Sequence, residues 1–392
     1  MKILYASCAS TPSTWKRLFE KSKSIPGQAV QKYHRLLIRG IAKDEGCDIT
    51  AVCVLPVTRQ NYPHLMLNIK DEEEARALYH YISMVNLPGI KNLCAISGAF
   101  FTCLGQCIKN KDAVVICDIL NMSVSYGAIM AAKVTGRKSV GIVTDVPSLL
   151  RSKKKGLLVK INNFLMKRPD AYVFLTPQMN ELINTKNKPY VVIEGQVDEN
   201  MNAVPNILKN KPENKIILYA GGIQKNYGIK ILTEAFIDAD IEGAELHIYG
   251  DGDYKDEIID LCKRHKNVRY FGNVTNDIVI KSEILATLLV NPRPTTEEFV
   301  KYSFPSKNME YMASGTPVLT TKLPGMPIEY YNHVYLIEDE SHEGMVSTLK
   351  NVLSLDKKIL YQKGKAAKEF VLKEKNNVVQ AHEIIKIIRE II

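Results

Sequence analysis

Short apolar segments that predict β-strands alternate with helical patterns along most of this 392-residue chain. Residues 1–7 and 48–55 are two such segments, and between them apolar residues recur at helical spacing over residues 30–41. The same order of strand, helix and strand recurs over residues 215–249. A strand, a helix and a second strand at this spacing form a parallel βαβ unit. We therefore expect an α/β protein built on doubly wound parallel sheets.

The length suffices for two domains, each with its own core. Residues 199–214 are polar and contain two prolines, as is typical of a linker. We therefore predict an N-terminal domain over residues 1–198, a C-terminal domain over 215–370, and a last helical segment over 371–392. Within the first domain, a polar connection follows the first strand and a helix is predicted over residues 72–84.

The composition limits the partners and the compartment. No apolar run is long enough to span a bilayer, and no signal-peptide pattern opens the chain, so we expect a cytoplasmic protein. The eight cysteines follow no zinc spacing and are expected to be buried free thiols. A net charge of +10 favours an anionic partner, which could be a nucleic acid, a membrane surface or a phosphorylated substrate.

Residues 291–321 carry the strongest chemical signal. They predict a loop, a helix that starts near Pro305 and ends at Gly315, and a strand. The first helical turn has unpaired N–H groups and partial positive charge, and Lys307 adds a full charge, so the junction suits an anion. Glu310, one turn later, could accept hydrogen bonds from sugar hydroxyls. Phosphate and ribose together suggest a nucleotide, and the alternative is a helix start with purely structural charges.

This segment resembles the nucleotide-sugar site of retaining glycosyltransferases of the large family four. Glu310 matches the family's second glutamate, which binds the ribose of the donor, and Tyr302 stands where the family has its first. The Asn-Pro-Arg at 291–293 and the Phe-Pro-Ser-Lys at 304–307 resemble a subgroup that builds capsules and exopolysaccharides.

The resemblance implies a GT-B fold, in which two doubly wound Rossmann-like domains face a cleft, with the acceptor on the first and the donor on the second. It implies transfer of a sugar from a nucleoside diphosphate sugar, UDP above all, to a hydroxyl of a glycan or lipid-linked acceptor, with retention. This would serve cell-surface polysaccharide biosynthesis at the inner face of the membrane. We expect no metal or other cofactor and no nucleic-acid partner.

The resemblance also implies the donor-site residues. Relatives supply an arginine and a lysine at the positions of Gly222 and Tyr227, so here Lys225, Arg293 and Lys307 are the candidate cations for the diphosphate. Lys307 and Arg293 would offset the charge of the leaving group and are the predicted catalytic pair. The predicted donor-binding set is Gly221, Gly222, Lys225, Gly250, Val274, Phe304, Pro305, Ser306, Lys307 and Glu310.

Three features of the N-terminal domain have two interpretations each. Gly27 and Gln28 resemble the family's glycine turn that approaches a diphosphate or acceptor, or they simply form a turn. Asp145 follows a strand and could contact an acceptor hydroxyl or act as a base, or it forms an Asx turn before Pro147. The basic segment 151–168 could dock on an anionic membrane or pack as an ordinary amphipathic helix.

Two other classes of protein remain open at this point. A GT-B nucleotide-sugar epimerase would share the fold and release free sugar without an acceptor. A non-catalytic scaffold of glycan machinery would bind nucleotide weakly or not at all.

Overall fold

The computed structural model describes residues 1–20, 22, 26, 29–146 and 157–392. Two compact units divide the chain. Unit 1 comprises Met1–Glu194 together with Asn377–Ile392, and unit 2 comprises Gly195–Asn376. The predicted boundaries were residues 198 and 370. Helix α12 (Lys357–Glu374) runs past the second of these and packs within unit 2.

Unit 1 is built on an eight-stranded sheet of order β10-β9-β8-β7-β1-β2-β5-β4, in which only β4 is antiparallel to its neighbour. The apolar segments at the start of the chain form its centre, with β1 between β2 and β7. A two-stranded ladder of β3 and β6 is separate. The strands of unit 1 are β1 Lys2–Ser7, β2 Asp48–Cys53, β3 Met66–Leu67, β4 Glu72–Glu74, β5 Ala77–Tyr81, β6 Met84–Val85, β7 Val114–Asp118, β8 Lys138–Val143, β9 Ala171–Phe174 and β10 Tyr190–Val192.

The helices of unit 1 enclose a core in which Tyr5, Phe19 and Tyr79 are fully buried. The last helix of the chain packs against α2 and the strands β9 and β10, so the end of the chain completes this unit. These helices are α1 Pro12–Phe19, α2 Ala29–Ala42, α3 Ile90–Lys109, α4 Met122–Val134, α5 Leu157–Met166, α6 Pro177–Ile183 and α13 Asn377–Ile391.

Unit 2 has a six-stranded sheet of order β13-β12-β11-β14-β15-β16, and every ladder in it is parallel. Its strands are β11 Lys215–Ala220, β12 Ala244–Tyr249, β13 Val268–Gly272, β14 Leu288–Asn291, β15 Val318–Thr321 and β16 Tyr335–Ile337. Its helices are α7 Ile229–Ala239, α8 Lys255–Arg264, α9 Asn276–Leu285, α10 Ser306–Ser314, α11 His342–Leu353 and α12. Two buried clusters, one on each face of the sheet, form its core.

The helix predicted over residues 72–84 is wrong. This segment forms β4 and β5, joined by a turn at Ala75 and Arg76 with φ of 51° and 65°. Ala77, Tyr79 and Tyr81 are buried and alternate with more exposed residues, which is the period of a strand. The 20-residue helix α3 and the helix α1 within the polar connection were not predicted.

The edge strand β4 anchors the start of α1 through Glu72. Its carboxylate accepts hydrogen bonds from the hydroxyls of Thr11, Ser13 and Thr14, and Arg17 lies 3.2 Å away. Burial raises the pKa of Glu72, but the hydrogen bonds from Thr11, Thr14 and Ser13 and the charge of Arg17 outweigh it. The pKa is therefore lowered overall.

Glu72→Gln is expected to lower the free energy of unfolding by about 1–2 kcal/mol at neutral pH, because it removes charge-assisted hydrogen bonds. A carboxylate whose pKa is depressed by folding stabilises above its unfolded pKa, and this contribution is lost as the pH falls. The difference from wild type should therefore shrink below about pH 4. Urea unfolding at neutral pH and below about pH 4 measures this difference in stability. Glu73→Gln, on the exposed side of the same strand, is the control. Equal losses for the two variants would contradict this account.

None of the described helices combines the length and the apolar character needed to cross a bilayer.

Candidate functional site

The carboxyl ends of β11, β12 and β14 meet at one edge of the unit 2 sheet, because the strands are parallel neighbours. Gly221 and Gly222 follow β11, Gly250 follows β12, and Pro292 and Arg293 follow β14. Ligands of open α/β sheets bind at this edge. The sequence therefore brings its glycine turns and its Asn-Pro-Arg segment to the side of the sheet where a ligand is expected.

Helix α10 begins at this edge with an uncapped N-terminus. Pro305 is its N-cap, and no side chain supplies a capping hydrogen bond. Phe304 and Pro305 are buried, and the ring of Phe304 packs on Tyr330 at 5.2 Å between centroids. Ser306, the first helical residue, is exposed. The N–H groups of the first turn therefore carry the partial positive charge that an anion would compensate.

A chain of buried polar contacts fixes α10 against the sheet. Asn291 at the end of β14 donates to Asn308 Oδ1 (2.8 Å), and Asn308 donates to Thr320 Oγ1 on β15 (3.3 Å). The hydroxyl of Tyr311 bonds both backbone groups of Ala220 at the end of β11. Three strands thus set the position of the helix start.

The ammonium of Lys307 lies in the space where any other residue at 221 would have a side chain. A Cβ built on Gly221 would be 0.7 Å from Lys307 Nζ. The ammonium also lies 4.7 Å from the centroid of the Tyr219 ring. Burial lowers the pKa of Lys307 to about 7, with a further contribution from the charge of Arg293 and an opposing one from Glu310. Lys307 is therefore a partly buried cation that an anion would stabilise.

Arg293 is the second cation of the site, and aromatic rings hold it. Its guanidinium carbon lies 4.3 Å from the ring centroid of Tyr227 and 5.6 Å from that of Phe299. Burial lowers the pKa of the guanidinium, and its Nε is buried with no hydrogen-bond acceptor among the described residues. Stacking preorganises a guanidinium for a phosphate. Sequence analysis did not identify Tyr227 or Phe299 as partners of Arg293, although it placed Tyr227 where relatives carry a lysine.

The glycine at the end of β12 brings two strand ends together. Gly250 has a φ of +130°, and a Cβ there would be 1.7 Å from the carbonyl oxygen of Gly221. Tyr270 donates to the carbonyl of Gly250 at 2.8 Å, and Tyr219 donates to that of Gly222 at 2.6 Å. Hydrogen bonds from Tyr219 and Tyr270 thus fix the two glycine turns, and the Lys307 ammonium lies against the first of them.

The remaining donor-site candidates lie in different surroundings. Glu310 is partly buried one turn after Lys307. Val274 is partly buried against the core of unit 2. Lys225 is exposed, and its ammonium pairs with Glu257 at 2.9 Å. Of the three candidate cations, Lys307 and Arg293 are therefore the two that are desolvated.

The unit 1 candidates are described in part. Asp145 lies beyond the end of β8 and is half-buried, and its carboxylate accepts a hydrogen bond from the Val146 amide at 2.7 Å. Burial raises its pKa, which the amide opposes. Gly27, Gln28 and the first residues of the basic segment, 151–156, lie outside the described residues.

A buried polar cluster in unit 1 was also missed. His34 lies between the hydroxyl of Tyr5 (2.8 Å from Nδ1) and the carboxylate of Asp118 (3.2 Å from Nε2). Asp118 ends β7 beside β1, where the strand order of the sheet reverses. The sequence does show a carboxylate at the end of an apolar strand. It does not show that Asp118 is buried against His34, because His34 lies on α2, far away in the sequence. The contacts tie α2 to the centre of the sheet.

A family profile matches the C-terminal half of the chain. Residues 200–370 match the family profile described as glycosyl transferases group 1. A comparison with curated proteins finds no match.

Solved glycosyltransferase structures resemble the whole chain. Sucrose-phosphate synthase from Thermosynechococcus elongatus matches with a TM-score of 0.69 at 15% identity, covering 100% of this chain and 98% of that one. HepE of Anabaena, solved in complex with UDP, matches with a TM-score of 0.63 at 12% identity over 100% of both chains. A glycosyltransferase from Rickettsia africae matches with a TM-score of 0.64 at 15% identity, covering 100% and 98%. The predicted α/β class, with Rossmann-like domains of the GT-B type, is confirmed.

Proposed function

We propose that this protein transfers a sugar from a nucleoside diphosphate sugar to a hydroxyl of a glycan or lipid-linked acceptor, with retention of anomeric configuration. The observation that carries the proposal is the paired cation site of unit 2. Lys307 and Arg293 are both desolvated, both lie at the carboxyl edge of the sheet, and the charge of Arg293 depresses the pKa of Lys307. A diphosphate would supply the negative charge that compensates these two cations.

The chemistry of the proposed step follows from charge. When the glycosidic bond of the donor breaks, the leaving diphosphate gains negative charge, and preorganised cations stabilise that state more than the ground state. Lys307, Arg293 and the first-turn amides of α10 would take this role. Glu310 would bind the ribose. Asp145 would contact the acceptor hydroxyl, and burial raises the pKa of its carboxyl above the ordinary value.

UDP is the nucleotide we propose, because HepE of Anabaena was solved with UDP and with UDP-glucose. The profile match over residues 200–370 supports sugar transfer. The Asn-Pro-Arg and Phe-Pro-Ser-Lys motifs, which resemble those of a capsule- and exopolysaccharide-building subgroup, support a role in building such polymers. Such a role would place the reaction at the inner face of the membrane. No metal or other cofactor enters the proposed mechanism, since Lys307 and Arg293 supply the positive charge.

A melting-temperature panel tests the proposal. Purified protein is heated with UDP, GDP, ADP and CMP and with their sugar conjugates, and the variants Lys307→Ala and Glu310→Ala are run alongside. A ligand at a hundred times its Kd stabilises the native state by about 2.7 kcal/mol, which raises Tm by several degrees. We expect one nucleoside diphosphate to stabilise wild type and neither variant.

Product analysis then separates the classes of protein. A transferase needs an acceptor for rapid turnover, whereas an epimerase would release free sugar at full rate without one. If no nucleotide at millimolar concentration raised the melting temperature, the protein would be a scaffold and the proposal would be wrong.

A further inference from the structure

Helix α3 buries its small residues and leaves its large apolar ones outside. Ala95, Ala99, Cys103 and Cys107, each four residues after the last, are its buried positions. They lie on the side that packs against α4, where a Cβ at Gly127 would be 2.2 Å from the Ile96 carbonyl oxygen. The small side chains of α3 line this close contact between helix backbones, so the larger ones lie on other sides of α3.

The outward row of α3 consists of large apolar side chains. Leu93, Phe101 and Ile108 are 66%, 67% and 65% exposed, and partly buried Leu104 falls within the same arc at 100° per residue. Ser97 is in this row as well, but its hydroxyl already donates to the Leu93 carbonyl at 2.9 Å. Removing water from this face would therefore leave no side-chain donor of the row unpaired.

Helix α4 carries a second exposed apolar row. Tyr126, Met130 and Val134 are exposed at four-residue spacing, which places them in one row. The two helices end together, because Arg137 donates to the Cys107 carbonyl at 3.2 Å. We call the exposed rows of α3 and α4 the apolar face. Its members are Leu93, Phe101, Ile108, Tyr126, Met130 and Val134.

The charged side chains on α3 and α4 themselves have one sign. Neither helix sequence contains an aspartate or glutamate. Exposed lysines mark the carboxyl ends of the two helices, and the adjacent Asp112 lies 3.3 Å from the N-terminal ammonium of the chain. These lysines are Lys109, Lys111, Lys133 and Lys138.

We propose that the apolar face docks on an anionic lipid bilayer, with α3 lying along the surface and the lysines at the headgroups. Large apolar side chains beside basic residues are what an interfacial helix needs. A second copy of this chain is the alternative occupant, and sedimentation tests it; the exposed lysines favour the bilayer, because anionic headgroups would pair with them. The residues of the apolar face belong to α3 and α4 and not to the basic segment 151–168, although α5 of that segment contacts α4.

Flotation with vesicles tests the docking. The full chain is mixed with vesicles of phosphatidylcholine alone, or with roughly 30% phosphatidylglycerol added. We expect wild type to float with the anionic vesicles only, and Leu93→Ser/Phe101→Ser to bind them at least tenfold more weakly. Lys109→Glu/Lys133→Glu should also weaken binding, and added salt should reduce it further. Ile328→Ser, which alters a 79% exposed apolar residue of unit 2, should float like wild type.

The readouts keep docking apart from sugar transfer and from misfolding. All variants change exposed side chains, so their melting temperatures and any nucleotide-induced shift should equal those of wild type. The proposal is overturned if wild type floats with neither vesicle, or if the serine pair floats as well as wild type. It is also overturned if sedimentation shows a dimer that the serine pair dissociates, since the face would then join two copies.

Discussion

Lys307→Ala is expected to lower kcat/KM for sugar transfer by about 10²–10³-fold, the loss typical of removing one preorganised group that stabilises a developing anion. The loss should be large because Lys225, the other lysine among the candidate cations, cannot take its place. The ammonium lies beside Gly221 at the start of α10, and the alternative candidate Lys225 is paired with Glu257 on the surface. Steady-state rates with the donor identified by the melting panel measure the effect.

A matched lysine controls for net charge. Lys230 is an exposed residue of α7 near Glu234, and Lys230→Ala removes the same unit of charge from unit 2. It should change kcat/KM less than twofold, within the small effects expected of exposed pairs. Comparable losses for Lys230→Ala and Lys307→Ala would mean that total charge, and not the placed ammonium, governs the rate.

Removing the Lys307 ammonium should lower the activity but raise the stability of the ligand-free protein. Its pKa of about 7 lies below that of the unfolded chain, so folding disfavours its charged form. That penalty is complete below about pH 7 and disappears above about pH 10.5. Lys307→Met, which keeps the apolar stem, should therefore melt higher than wild type near pH 6. Near pH 9.5 the difference should shrink, and an advantage that is constant with pH would contradict the assignment.

Gly221→Ala is expected to weaken nucleotide binding while the protein stays folded. The added Cβ would be 0.7 Å from Lys307 Nζ and must displace the ammonium. The atoms it meets form the far end of a flexible side chain and can move aside, but the φ of +156° at Gly221 adds some backbone strain, so we expect a modest loss of stability. We expect the affinity for the nucleoside diphosphate to fall at least tenfold, because a displaced cation no longer offsets the phosphate charge.

Two further variants show whether Gly221 acts through Lys307. If it does, Gly221→Ala should add little in a Lys307→Ala background, since the two changes remove the same interaction. A full additional loss in the double variant would disprove this link. Gly250→Ala is the contrasting case, because its Cβ would meet the backbone carbonyl oxygen of Gly221 at 1.7 Å, and backbone cannot move aside as a flexible side chain can. It should reduce the melting temperature as well as binding.

The elements at the start of α10 could be predicted from local rules. Proline at the helix start, Gly315 after its end and apolar strands on both sides are short-range signals. The contacts that give the site its chemistry are long-range. Arg293 lies over Tyr227, Lys307 fills the space at Gly221, and no spacing rule relates residues so far apart in the sequence.

Two errors in unit 1 have the same origin. The charged run at residues 72–76 favours a helix locally, but Ala77, Tyr79 and Tyr81 are buried in a strand that pairs with β2. Helix α3 gave a weak amphipathic signal because it is apolar on several sides, with small residues inward and large ones outward. In both segments, tertiary contacts and not the local sequence determine the structure.

Calorimetry of nucleoside diphosphate binding in two buffers of different ionisation enthalpy tests the central claim most directly. At about pH 8 most Lys307 is neutral in the free protein, and a bound diphosphate would restore its charge. The phosphates are already ionised at this pH, so proton uptake reports on the protein. We predict uptake of close to one proton per nucleotide by wild type, and binding without uptake by Lys307→Arg, whose side chain stays charged. Wild-type binding without proton uptake, or no binding of any nucleoside diphosphate, would contradict the account.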